Sequence, residues 1–181
     1  MNKILAAGAV ASLMFAAASA NAVSVIAEVG EHYTNLGFGL GTTTPGLGLT
    51  GNWAHNDDNG DVAGLGLGYN IPLGPFMATA GGKGLYMGPK NGSDGYAVAL
   101  GGGLQLPVGS MFRLYGDYYY SPDSLSSGIG NYSEASAGVS LTAIPMVTVS
   151  VGYRYMAMDG KDGDRDNIVA DGPYVGGALN F

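Results

Sequence analysis

Six charged residues stand inside segments that are otherwise almost free of charge: Glu28, Lys83, Arg113, Asp117, Glu134 and Arg154. Three acids and three bases in alternating, largely apolar surroundings admit three kinds of chemistry. They can form an internal ion-pair network that satisfies buried charge. They can line an ion-selective constriction. Two of the carboxylates can act as an acid pair for hydrolysis. The network is the plainest expectation, and the other two stay open. About a turn at Ala143–Met146, Glu134 and Arg154 come out nearly opposite each other, and Asp117 should neighbour Glu134 across the segment Ser121–Gly130.

Other chemistry is thin. The two histidines, His32 and His55, lie at the edges of polar segments, with no Ser-His-acid or Asp-His spacing around them. Without cysteine there is no thiol nucleophile, and a metal site of His ligands is improbable with so few. Asp162-Gly-Asp-Arg-Asp166-Asn has the opening ligands of a calcium loop, but Pro173 stands where the twelfth-position Glu is required. That run and His55-Asn-Asp-Asp-Asn-Gly-Asp61 read first as solvated turns, because Asp, Asn and Gly cluster in turns. No catalytic residue, cofactor or metal ligand is expected.

The elements that must position the six charges are strands. Val147, Val149, Val151, Tyr153 and Tyr155 alternate with Thr148, Ser150, Gly152 and Arg154, and the same period of two recurs along the chain. With 33 glycines and no stripe of period 3.6, helix is disfavoured. Ten strands are expected, near 23–30, 33–42, 46–55, 61–71, 75–88, 95–106, 111–121, 131–143, 146–157 and 172–181. Four short connections carrying proline alternate with longer polar ones. The junction Gly30–Tyr33 reads as a very tight hairpin or as a bulge, which keeps eight strands as a fallback. Lys83 shares a face with Leu85 and Met87, and a bulge there could switch the face.

Only 12% of residues are charged, and most of the fourteen acids fall between the strands. The face opposite the apolar one is mostly Gly, Ser, Thr and Asn, without the Lys and Glu that a soluble sheet shows to water. Aromatic residues gather at both strand ends: Trp53, Tyr86, Tyr96, Tyr118, Tyr120, Tyr153 and Tyr155 at one, Tyr69, Phe76, Phe112 and Phe181 at the other. Two aromatic belts mark the two interfaces of a membrane. At the amino terminus Lys3, the apolar run Ile4–Ala18 and Ser19-Ala-Asn-Ala22 have the form of a secretory signal peptide cleaved after Ala22. The chain therefore reads as residues 1–22, signal peptide, and 23–181, an all-β, antiparallel, up-and-down transmembrane β-barrel of about ten strands in a Gram-negative outer membrane. A soluble barrel with the same alternation is the competing fold. Loss of Lys3 takes the net charge from −7 to −8, which argues against nucleic acid as a partner. Outer-membrane lipid and lipopolysaccharide are the expected partners, the acidic loops touching lipopolysaccharide through weak divalent-cation bridges, and the barrel is expected to act as a monomer.

Specific runs carry a resemblance. Gly30-Glu-His-Tyr-Thr-Asn35, Gly51-Asn-Trp53, Pro72-Leu-Gly-Pro75, Tyr119-Tyr-Ser-Pro-Asp-Ser-Leu-Ser-Ser-Gly128, Gly152-Tyr-Arg-Tyr155, Gly160-Lys-Asp-Gly-Asp-Arg-Asp-Asn167 and Ala170-Asp-Gly-Pro-Tyr174 resemble the YfaZ family of enterobacterial outer-membrane proteins. The resemblance spans nearly the whole mature chain and implies location and fold but no activity. Similarity to outer-membrane proteins in general implies that the terminal Phe181, on one face with Leu179 and Val175, is read by the barrel-assembly machinery. Function is expected to be that of a non-enzymatic envelope protein with acidic extracellular loops. A narrow porin-like channel and a barrel-based surface hydrolase are the alternatives.

Overall fold

The structure, a computed structural model, describes residues 23–161 and 163–181. The signal peptide expected over residues 1–22 lies outside them. Ten long strands follow in chain order: β1 (Val23–Gly30), β2 (Thr34–Leu40), β3 (Gly46–Asn56), β4 (Gly60–Leu73), β5 (Phe76–Pro89), β6 (Gly95–Val108), β7 (Phe112–Ser121), β8 (Tyr132–Ile144), β9 (Val147–Met158) and β10 (Asn167–Asn180). Each pairs antiparallel with its chain neighbours, and β1 pairs with β10, so the sheet closes on itself. Val23 and Phe181 bond reciprocally at the seam, with N–O distances of 3.2 and 2.8 Å. Closure matters because lipid offers no partner for a free strand edge. A two-residue bridge at Ser126–Ser127 adds to β6 inside a loop.

From β4 onward the hairpins alternate in length as the sequence leads one to expect, whereas residues 41–45 between β2 and β3 form a longer connection than 31–33 and 57–59 on either side of it. At the short-turn end Gly74 has φ +61°, which lets a two-residue Gly-Pro connection join β4 to β5. The Gly30–Tyr33 junction is a true hairpin: Gly30 N donates to Tyr33 O at 2.9 Å, and β1 and β2 stay in register along their length. That settles ten strands rather than eight.

Two expectations need correction. The last strand begins at Asn167, not near 172. Its register against β9 shifts between Met156 and Ala157, so Val169 and Ala170 both turn inward at a bulge and are buried. A bulge breaks the period of two, which is why the sequence reads as loop there. In β5, Lys83, Leu85 and Met87 do share a face, but it is the inner one. No register shift interrupts β5 against either neighbour, Leu85 and Met87 are buried, and Tyr86 points out. These two large apolar residues face inward because the lumen is itself apolar at that level.

The outer surface is apolar. Leu65 is 62% and Tyr96 66% exposed, and the Leu, Val and Ile residues of the outward face are exposed throughout. A soluble fold would bury that face, so the orientation decides for a membrane barrel. The lumen divides into two halves. Toward the long loops, Tyr33, Val62, Leu85, Met87, Ile129, Tyr132, Met156, Met158 and Val169 form one buried apolar cluster. Toward the short turns, the inward residues are mostly Gly, Ser, Thr and Asn around a cavity.

Candidate functional site

Five of the six charges lie in or just below the boundary between those halves. Each sits at an inward position of its strand, so the period of two aims all of them at the axis. Arg154 on β9 pairs with Glu28 on β1 at 3.0 Å, across the intervening β10. Asn35 Nδ2 on β2 donates to the same carboxylate at 2.7 Å. Lys83 on β5 pairs with Glu134 on β8 at 2.9 Å, straight across the lumen. Tyr132 O–H donates to Glu134 at 3.1 Å, and the Lys83 ammonium lies 4.1 Å from the centre of the Tyr119 ring. Asp117 accepts from Ser136 Oγ at 2.8 Å. Arg113 stands lower, near the short-turn end, opposite Ser140.

Sequence position put Glu134 beside Arg154 and Asp117. In the structure Arg154 stands opposite Ser136, and Tyr119 opposite Glu134, so each named pair is offset diagonally by two residues. The close partners come from strands far away in the chain, where hairpin symmetry gives no information. All four members of the two ion pairs are nearly buried.

Tyr115 and Tyr174 meet hydroxyl to hydroxyl beside this layer. Glycines make room for them. A Cβ on Gly152 would stand 2.9 Å from Tyr174 Cζ, and one on Gly138 would meet the Tyr115 ring at the same distance. These glycines therefore lie under tyrosine rings, not beside open space. Gly152→Val is expected to lower stability by about 1–3 kcal/mol through overpacking, read as a lower urea midpoint for loss of heat-modifiable migration. An unchanged midpoint would mean the ring moves aside freely.

Below the charges, a cavity of about 330 Å³ reaches the short-turn end, where its lining includes the exposed Thr43. Above them lies the apolar cluster. Tyr132, Met87, Met156 and Met158 are fully buried there.

A second set of contacts, on the outer rim of the long-loop end, escaped the sequence reading. Trp53 Nε1 donates to Asp61 at 3.1 Å, and His55 stacks on Trp53 with ring centres 5.6 Å apart. The two nitrogens of His55 lie 2.8 Å from Asp61 and 3.2 Å from Asp57. Tyr86 donates to Asp94 at 2.8 Å and Tyr153 to Asp171 at 2.5 Å. Interface aromatics are thus tied to carboxylates around the rim. The cross-strand partnership of His55 and Asp61 was readable from the symmetry of their hairpin. Asp166 accepts from the Gly160 N–H at 2.9 Å, a turn contact within its loop. Among the described residues no group of three His, Cys, Asp or Glu side chains is placed to hold a metal; Asp162, first in the calcium-like run, lies outside them.

The chain matches the family model described as YfaZ precursor over residues 1–181. It belongs to the YfaZ family. It is 59% identical to the outer membrane protein YfaZ of Escherichia coli (strain K12) over 181 residues, which is 100% of both chains. This YfaZ-family protein is an outer-membrane protein, as its relative's name and its own lipid-facing surface agree. Among solved structures it is similar to the NanC porin, with TM-score 0.47 and 14% identity over 90% of this chain and 100% of that one. Neisserial surface protein A gives TM-score 0.40 and 14% identity over 89% of this chain and 97% of that one. Similarity at this level says nothing about what the YfaZ-family barrel does.

Proposed function

We propose that this barrel is a closed, non-enzymatic protein of the outer membrane, not a standing pore, and that it meets the envelope through its acidic rim. The observation that carries the reading is the apolar cluster that fills the long-loop half above two buried ion pairs. Water does not fill a dry, tightly packed apolar layer, so ions have no continuous path. The cavity below is the one feature that favours the narrow-channel alternative, since it leads a solute as far as the charges. Single-channel recording in a planar bilayer separates them. A folded barrel without current steps is expected. Reproducible steps whose selectivity changes with Glu134→Gln would sink the closed reading in favour of a pore with that residue in its path.

Hydrolysis finds little support. Both nitrogens of His55 are engaged by carboxylates, and His32 is exposed beside Glu31 at a hairpin tip. On the outer rim, Asp57, Asp61, Asp94 and Asp171 present anionic groups at the level of lipopolysaccharide headgroups, where divalent cations are the natural bridge between like charges. The terminal Phe181 points outward at the seam, 64% exposed. We assign it to recognition by the barrel-assembly machinery. Phe181→Ala is expected to cut the amount of folded barrel in the membrane several-fold while leaving the purified, refolded barrel as stable as before. Equal membrane yields would remove that role.

A further inference from the structure

Four of the six lumen charges neutralise each other in pairs, and two do not. Among the described residues neither Asp117 nor Arg113 makes an ion pair. They are of opposite sign, stand on the same strand, and line the same cavity. Only one oxygen of Asp117 accepts the Ser136 hydroxyl. Asn35 Oδ1, Asn52 Nδ2 and Arg154 Nε, on residues of the same lining, are buried without a hydrogen-bond partner in the protein. The cavity reaches the short-turn end, and on the closed reading it is sealed above, so whatever enters it comes from the short-turn side, which in bacterial outer-membrane barrels is the periplasmic one.

We propose that this cup binds a small zwitterion of the dipeptide class, with its ammonium group at Asp117 and its carboxylate at Arg113. Four residue steps along the strand separate the two Cα atoms by about 13 Å, and side chains on one face of a strand stand roughly parallel. An extended dipeptide of roughly 7 Å with a hydrogen bond of about 2.8 Å at each end spans a gap of that size. The Arg guanidinium matches a carboxylate with two parallel bonds. The amide between the ligand's ends meets hydroxyl and amide groups such as Thr50, Thr79 and Asn52 in the wall. A molecule with one charge leaves either Asp117 or Arg113 unmatched, and that mismatch is the source of selectivity.

The inference rests on the closed reading for the direction of entry, and one set of measurements keeps the two apart. Protein extracted from outer membranes in detergent is titrated calorimetrically with glycylglycine, N-acetylglycylglycine and glycylglycinamide. Saturable binding of glycylglycine is expected, at least tenfold weaker for each singly charged analogue. Asp117→Asn and Arg113→Gln are each expected to lose binding of glycylglycine by a similar factor. The analogue series does not depend on any variant folding. Equal binding of all three probes, unchanged binding by a folded Asp117→Asn barrel, or no binding by a wild-type barrel with native heat-modifiable migration overturns the proposal. Current steps in a bilayer would sink the closed reading while leaving the charge selectivity of binding intact. Electrical silence with no glycylglycine binding would sink the zwitterion site alone.

Discussion

Arg154→Met is expected to destabilise the barrel by about 3–5 kcal/mol, the cost of leaving one member of a buried ion pair without its partner. Glu28, 6% exposed, would keep only the Asn35 amide against its charge. The double variant Glu28→Gln/Arg154→Met is expected to recover most of that loss, because it removes the uncompensated charge along with the pair. Urea-dependent unfolding in detergent, followed by heat-modifiable migration, measures both. The informative quantity is the coupling between the two substitutions. If the single and double variants lose the same stability, the pair is not what holds this layer together, and the guanidinium over the Tyr174 ring takes its place.

The second large effect is electrical. Met87 and Met158 are fully buried in the apolar layer. Replacing both with serine shortens two side chains and gives water polar partners inside the seal. Current steps are expected from Met87→Ser/Met158→Ser in a planar bilayer where the wild type is silent. The variant is expected to unfold at lower urea as well, since truncating a buried methionine to a small residue costs about 2–5 kcal/mol at a site that does not collapse. A folded variant that stays silent would mean the charge layer, and not the apolar one, blocks the lumen. Adding Lys83→Gln to the same variant would then be the next step.

These two layers show where the sequence was informative. Alternation fixes the face of a residue as long as the strand is regular, so Glu28, Asp117, Glu134 and Arg154 could be placed inside from their neighbours alone. Partner choice is different. Glu28 and Arg154 are 126 residues apart, Lys83 and Glu134 are 51, and both pairs depend on how the sheet curves around to meet itself. The inner apolar layer was hidden for another reason. An outward rule that equates large apolar residues with lipid misassigns Leu85 and Met87, because it assumes a uniformly polar lumen. Their shared face with Lys83 was the visible signal. The bulge within β10 concealed five strand residues by breaking the period at Val169–Ala170. On the rim, the aromatic belt and the acids were each legible, but their hydrogen bonds were not, except for the directly opposed His55 and Asp61.

Outer-membrane barrels that conduct add their leaks in parallel, so the permeability of the envelope rises with every copy inserted. A barrel stoppered in its outer half has no such ceiling on abundance. In the closed state proposed above it occupies bilayer area without short-circuiting the barrier, and its cavity opens to one compartment only. Copy number then becomes a matter of surface coverage, set by how closely the acidic rims of neighbouring copies tolerate one another.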